Sequence, residues 1–281
     1  MEQSNDASFA RVEQSLSNIS TWLTDNCMMT DRVEHGNRTH DTTSIVQSVP
    51  TTSSVITTDY YTDCLDYRAR GHETSGIITT RSQDGACSQQ SYCDMETDGG
   101  GWTVFQRHQS DAVLFNLRWA EYKNGFGDLN DSFWWGNEKL AQALNDGRQY
   151  ELGIALFDWE GEHRFAKYRH FYVAPESDNY RIRVSGYSGN AGADSFGPHT
   201  NGDQFFTVDR VNDIDALSSD CLARWGGGGF WYGNGCGAFS PNGRYSRTSS
   251  VPWFSGLHWR GWRGGDYSLK AVSLAFRATT N

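Results

Sequence analysis

The chain has 281 residues with 24 Lys and Arg against 34 Asp and Glu, a formal net charge of −10; that balance repels phosphate backbones and anionic membranes and suits a divalent cation or a neutral ligand better. Its 11 Trp, 13 Tyr, 15 Phe and 30 Gly exclude disorder over most of the length, and they argue against a helical bundle, where each interior Gly costs about 1 kcal/mol. No apolar run approaches the roughly 18 residues that a membrane-spanning helix needs.

In chain order, Phe9, Val12, Leu16, Ile19 and Leu23 are spaced 3, 4, 3 and 4 apart, an a/d heptad stripe. Two heptads are marginal alone, so the stripe persists only by pairing with other chains or docking on the rest of the molecule. Cys27 follows it directly, as an interchain staple would. Residues 1–40 therefore read as an N-terminal segment with a short coiled coil over about 9–27, and the expected assembly is a homo-oligomer. Residues 41–62 contain 11 Ser or Thr among 22. Too little apolar surface is present there to offset ordering entropy, so the stretch reads as a linker or stalk.

From 63 to 281 the texture changes: Trp, Tyr and Gly become dense, and short strand-like runs alternate with turns. Strands are expected at Gly101–Gln106, Tyr150–Phe157, Tyr180–Val184 and Ala271–Arg277, and helices at Arg118–Tyr122 and Glu138–Leu144. The second helix should stop at Asn145-Asp146-Gly147. The class this implies is α+β with long irregular loops, large enough for a real core.

Six cysteines at 27, 64, 87, 93, 221 and 236 contain no C-x2-C pair, so a zinc cage is not signalled, and their even number suggests disulfides in an oxidising compartment. Sequons at Asn18, Asn37 and Asn130 agree with a secreted, extracellular glycoprotein. The opening residues MEQSNDAS have neither a basic n-region nor an apolar h-region, so export requires a removed leader or another route.

The blocks YCDMETDGGGWTVFQR (Tyr92–Arg107), YKNGFGDL (Tyr122–Leu129), FWWGNEKL (Phe133–Leu140), DRVND (Asp209–Asp213), NGRY (Asn242–Tyr245) and GLHWRGWRGGDYSLK (Gly256–Lys270) resemble the fibrinogen-related domain of fibrinogen chains, ficolins, tachylectins and angiopoietin-like proteins. The resemblance covers essentially all of 64–281. It implies a globular domain with a twisted antiparallel sheet, few short helices and long loops. It further implies a secreted, non-catalytic recognition module, multimerised through an N-terminal coiled coil or stalk. Two disulfides follow from it, Cys64–Cys93 and Cys221–Cys236. Cys27 and Cys87 remain, to pair with each other or with other chains.

The resemblance also implies a calcium site and, beside it, a pocket for acetylated sugars or a peptide end. The family motif D-x-D-x-D falls on Asp209, Val211 and Asp213, with carbonyl positions at Asp215 and Leu217. Val211 supplies no ligand oxygen, and calcium wants six to eight; Asp215 is the side chain able to replace it. In the pocket, Tyr232 leads to Gly235, Cys236 and Gly237, and Gly237 stands where acetyl-binding relatives carry His. The aromatic wall survives as Trp253, an Ala-like position becomes Phe254, and a Tyr position falls on Gly265 with Tyr267 close by. Trp231, Trp259 and Trp262 read as core, Gly226–Gly229 as a close-packed or flexible turn, and Asp158 and Glu160 as solvated carboxylates. No nucleophile elbow, dinucleotide fingerprint or metal pair is present, so no enzyme is expected.

Two readings follow. The first is a lectin for acetylated sugars or microbial surface glycans in innate immune pattern recognition, acting beside a possible calcium site. The second is a protein-binding module that engages a receptor or peptide end through the same face.

Overall fold

The structure is a computed structural model and describes residues 60–81, 88–211, 222, 226–233, 236 and 238–279. The heptad stripe, Cys27, the linker up to residue 59 with the boundary at 40, and Cys87 lie outside the described residues.

Asp63 opens helix α1, Cys64–Ala69, by accepting from the Asp66 N–H at 2.8 Å, which satisfies one of the unpaired N–H groups of a helix start. Cys64 then bonds Cys93, as expected, and ties α1 to the sheet. That sheet contains β1 (Gly76–Arg81), β2 (Ser88–Asp94), β3 (Trp102–His108), β6 (Tyr150–Phe157), β7 (His163–Val173), β8 (Ile182–Gly189) and β11 (Ala271–Ala278). Their spatial order is β1-β2-β3-β11-β6-β7-β8, and every neighbouring pair is antiparallel. Short strands β4 (Phe126–Gly127) and β5 (Phe133–Trp134) branch from β3. The last strand thus lies in the middle of the sheet, between β3 and β6.

Helix α3 (Asn137–Leu144) packs on β7, and helix α2 (Trp119–Asn124) packs against α3. In α3 the buried positions are Asn137, Leu140, Ala141 and Leu144, the i, i+3, i+4, i+7 stripe of a half-buried helix. Asn145 ends it, its side chain donating to the carbonyls of Ala141 and Val173. In β6 burial alternates, with Leu152, Ile154 and Leu156 inward and Glu151, Gly153 and Ala155 outward. The inward residues join a core rich in rings, including Phe105, Tyr122, Trp134, Phe205, Trp231 and Trp259. Beyond β8 come α4 (Gly197–Thr200), β9 (Phe239–Ser240), its partner β10 (His258–Trp259) and α5 (Arg260–Arg263).

Several expectations shift. The strand expected at Tyr180–Val184 starts at Ile182 and runs on to Gly189, because Tyr180 sits at φ 50 and its ring turns into the core. β1, β2, α1 and the eleven-residue β7 were not anticipated. In β7 the inward residues are Ala166 and Tyr168, then Phe171 and Val173. The alternation changes phase at Arg169 and His170, facing Gly186 at φ 78, so no period of two is visible in the sequence. The Gly226–Gly229 turn is close-packed: a Cβ on Gly228 would lie 1.8 Å from the Asn242 carbonyl oxygen, and one on Gly229 2.8 Å from Thr207 and the Tyr122 ring.

Candidate functional site

The face expected to carry function begins where Thr207 and Arg210 bridge. Asp209 does not hang free there. Its Oδ1 accepts from the Thr207 hydroxyl at 2.7 Å and from the Trp119 N–H at 2.9 Å, so it satisfies an unpaired N–H in the first turn of α2 from across the chain. Burial alone raises its carboxyl, but these bonds outweigh that and hold it below the usual carboxylate range. Arg210 lies over the Trp119 ring, 3.9 Å from the centroid, and reaches Asn179 and Glu176. Glu176 also accepts from the Trp119 indole at 2.7 Å and from Lys123 at 2.5 Å. Burial raises its carboxyl too, and the Lys123 and Trp119 bonds bring it below its ordinary value.

Val211 is exposed. Asp213, Asp215, Leu217 and Cys221 lie outside the described residues. Among the described residues no group of three or more His, Cys, Asp or Glu is placed to hold a metal. Of the expected calcium ligands only Asp209 is described; its Oδ1 serves two donors, and Val211 has no side-chain oxygen to add.

The sugar-pocket residues separate into buried and accessible. Tyr232 is buried among rings and donates to the Gly228 carbonyl at 2.9 Å; burial pushes its phenol up. It is a core residue, contrary to its expected place in the ligand wall. Cys236 is disulfide-bonded and held at φ 68; Gly235, Gly237 and the expected partner Cys221 lie outside the described residues. Trp253 is 60% exposed. Its ring meets Phe254 edge-on with centroids 4.6 Å apart, and Phe254 in turn lies 4.5 Å from His258.

Phe254 occupies φ 59, and its N–H donates to the Gly265 carbonyl at 2.6 Å. A Cβ on Gly265 would come 3.0 Å from the Phe254 ring. The ring therefore takes the room that Gly265 leaves. Tyr267 donates to Glu160 and accepts from the Trp159 N–H at 2.9 Å; burial, then the Glu160 bond, pushes its phenol up to about 12.

Asp158 corrects an expectation. It is buried, not solvated, because the chain turns sharply after β6: its Oδ1 accepts from the Glu162 N–H at 2.7 Å, and Arg263 pairs with its other oxygen. Burial raises this carboxyl, and Arg263 then lowers it below its ordinary value. Glu160 does stay exposed, at the edge of the same cluster. Trp231 and Trp259 are core as expected, whereas Trp262 is half-buried with Arg164 over its ring. Of the sequon asparagines, Asn130 is exposed in the turn after β4, with Ser132 buried beneath it; Asn18 and Asn37 lie outside the described residues.

The described residues thus form an antiparallel sheet whose loops carry rings at the surface. Residues 60–279 match the family described as fibrinogen beta and gamma chains, C-terminal globular domain. The chain belongs to that family, and its domain is non-enzymatic. It is 38% identical to human angiopoietin-2 over 218 residues, which is 77% of this chain and 43% of that protein. It is 38% identical to human angiopoietin-related protein 2 over 221 residues, 78% and 43% of the two; the chain thus spans less than half the length of these curated relatives. Among solved structures it resembles the fibrinogen-like globe domain of human ANGPTL6, with a TM-score of 0.73 and 36% identity over 79% of this chain and 97% of that one. It also resembles a lamprey fibrin D-dimer complexed with the peptide Gly-His-Arg-Pro-amide, with a TM-score of 0.69 and 28% identity over 99% of this chain and 86% of that one. Among the described residues no helix is long and apolar enough to cross a membrane.

Proposed function

We propose that this chain is a secreted protein-binding module that engages a receptor or a peptide end through the 209–267 face. The observation that carries this reading is the packing of Phe254 over Gly265: the ring fills the space beside the pocket wall and leaves Trp253 standing out at 60% exposure. A small acetyl group loses its cavity there, while a flat partner surface gains an aromatic anchor. Exposed aromatics of this kind are the residues on which protein interfaces concentrate affinity. The Gly237 position, which has no imidazole, weakens the acetyl-sugar reading in the same direction. The similarity to angiopoietins and to a peptide-bound fibrin fragment supports a protein ligand over a glycan.

Secretion is supported by the Cys64–Cys93 disulfide. Clustering through the 9–27 stripe and Cys27 belongs to the same proposal; it raises weak single-site binding by roughly 10²–10⁴ where the geometry lets several sites engage. A bound calcium ion is not required by this reading.

Two columns test it, one of immobilised N-acetylglucosamine and one of candidate receptor ectodomains, each with and without a chelator. Retention of the full chain by an ectodomain, weakened about tenfold or more by Trp253→Ala, is the expected result. Retention on the sugar column with elution by free N-acetylglucosamine, unaffected by Trp253→Ala, overturns the reading in favour of the lectin.

A further inference from the structure

A cavity of about 490 Å³ opens on the side of the main sheet that faces away from the core, built from residues that the face at Trp253 does not use. Strand register explains it. On β6 the outward positions include Gly153 and Ala155; directly opposite them on β11 lie Ala275 and Ser273, and directly opposite on β7 lie Lys167 and Phe165. Facing residues of an antiparallel pair share one side of the sheet, so a glycine and three small side chains form a sunken floor.

The walls are rings. The buried Trp102 indole lies over Gly153, where an added Cβ would come 3.1 Å from it, with Arg277 4.1 Å from the ring centroid, so only its edge closes this end of the slot. At the other end Phe157 and Phe165 are each 41% exposed. Two well-formed outward phenylalanines beside a floor without bulk make a slot for a flat apolar group, since concave apolar surface is where small groups are best desolvated.

The Trp102 end is acidic. Asp94 uses Oδ1 to accept from the Glu96 and Thr97 N–H groups, both at 2.9 Å, and its Oδ2 has no partner among the described residues. The cations nearby are already matched: Lys167 pairs with Asp98 at 2.6 Å and Glu151 at 3.5 Å, Arg277 pairs with Glu151 at 2.6 Å, and Arg164 with Glu162 at 3.1 Å. An anion entering the slot would meet Asp94, Asp98 and Glu151, with Lys167, Arg277 and Arg164 already paired among the described residues, whereas a cation would find Asp94. The net charge of −10 draws basic partners from a distance as well.

We infer that this slot is a second docking site, for a segment of a protein partner that presents an aromatic or branched aliphatic side chain next to Lys or Arg. The apolar side chain lies over Ala155 and Ser273, between the edge of Trp102 and Phe165, and the neighbouring cation pairs with Asp94. The inference goes beyond the proposed receptor face and does not depend on it.

The probes are N-acetyl-Phe-Arg-amide and N-acetyl-Phe-Glu-amide, titrated into the full chain while amide NMR signals of 153–155 and 165–167 are followed. The Arg peptide shifts these signals and the Glu peptide binds about tenfold or more weakly, because like charges meet at Asp94. Ala155→Trp, which fills the floor at an outward position, abolishes the shifts; Phe165→Ser serves as the second variant if Ala155→Trp does not fold. Asp94→Asn keeps the Oδ1 acceptor and weakens the Arg peptide severalfold. Trp253→Ala leaves both titrations unchanged, so failure of the receptor-face reading and failure of this one are distinguishable. Equal affinity for the two peptides, unchanged shifts in Ala155→Trp or Phe165→Ser, or no shift with the Arg peptide at millimolar concentration each overturns it.

Discussion

The Oδ1 of Asp209 receives hydrogen bonds from the Trp119 N–H and the Thr207 hydroxyl, and the next residue, Arg210, is stacked on the Trp119 ring. The two together pin the start of the 209–221 loop to helix α2 with side chains alone. A carboxylate so used acts as a helix cap, and removing a cap costs about 1 kcal/mol. Asp209→Ala should therefore lower the melting temperature by roughly 2–4 °C for a domain of this size, and by the same amount in calcium and in chelator. A drop seen in calcium alone would make Asp209 an ion ligand and overturn the cap assignment. Trp253 presents the opposite case at this scale: its ring is 60% exposed and its one ring contact among the described residues is the edge of Phe254, so its replacement should change binding far more than stability.

At the scale of elements, the turn at 226–229 decides how closely the β9–β10 region can approach α2. Gly228 has no room for a methyl group, with Asn242 carbonyl oxygen 1.8 Å from the Cβ position, and the Asn242 amide donates to Gly229 O at 2.8 Å across the same contact. Gly228→Ala must push these backbones apart, which costs about 1–3 kcal/mol as overpacking does elsewhere. Gly147→Ala serves as a control, since nothing lies within 4 Å of its Cβ position and only its φ of 89 opposes the change. Urea unfolding of the two variants measures the difference; equal loss in both would mean that the contact at Gly228 is soft. What could be read from sequence follows the same division between local and distant causes. YELGIALF alternates cleanly, and β6 spans Tyr150–Phe157 as expected. The helix at NEKLAQAL differs by one residue. β7 is hidden because its inward phase switches at Arg169. Asp158 looked solvated because its partner Arg263 is 105 positions away, and Tyr232 looked like a pocket wall because no local pattern tells a buried ring from an accessible one. The packing of Phe254 over Gly265 was half legible: the bulk was visible in the sequence, and its fit over Gly265 required the fold.

At the scale of the whole molecule, the first loss of stability in acid should come from two histidines that the sheet and the β9–β10 pair enclose. His108, on β3, stacks on Phe115 with centroids 4.0 Å apart and bonds the Pro241 carbonyl through Nδ1; burial pulls it down to about 4, against smaller upward effects of that carbonyl and Asp131. His258, on β10, is pulled down by burial to about 3, opposed by the Gly256 carbonyl. The unfolded chain protonates each near 6.5, so below that value it binds more protons than the folded one. A depressed folded value means that the stabilisation is present above the unfolded pKa and is lost as pH falls towards the folded one. Each histidine then contributes a loss of roughly 1.4 kcal/mol per pH unit between about 6.5 and 4. The lowered carboxyls of Asp158 and Glu176 add their losses only below the ordinary carboxylate range, so the two windows separate. The unfolding free energy should be flat from neutral pH to about 6.5 and fall steeply from there to about 4. His108→Gln, where it folds, should halve the slope. Imidazole NMR signals decide the cause independently: if the His108 and His258 rings of the folded chain titrate near 6.5, burial does not hold them neutral and the acid sensitivity must come from elsewhere.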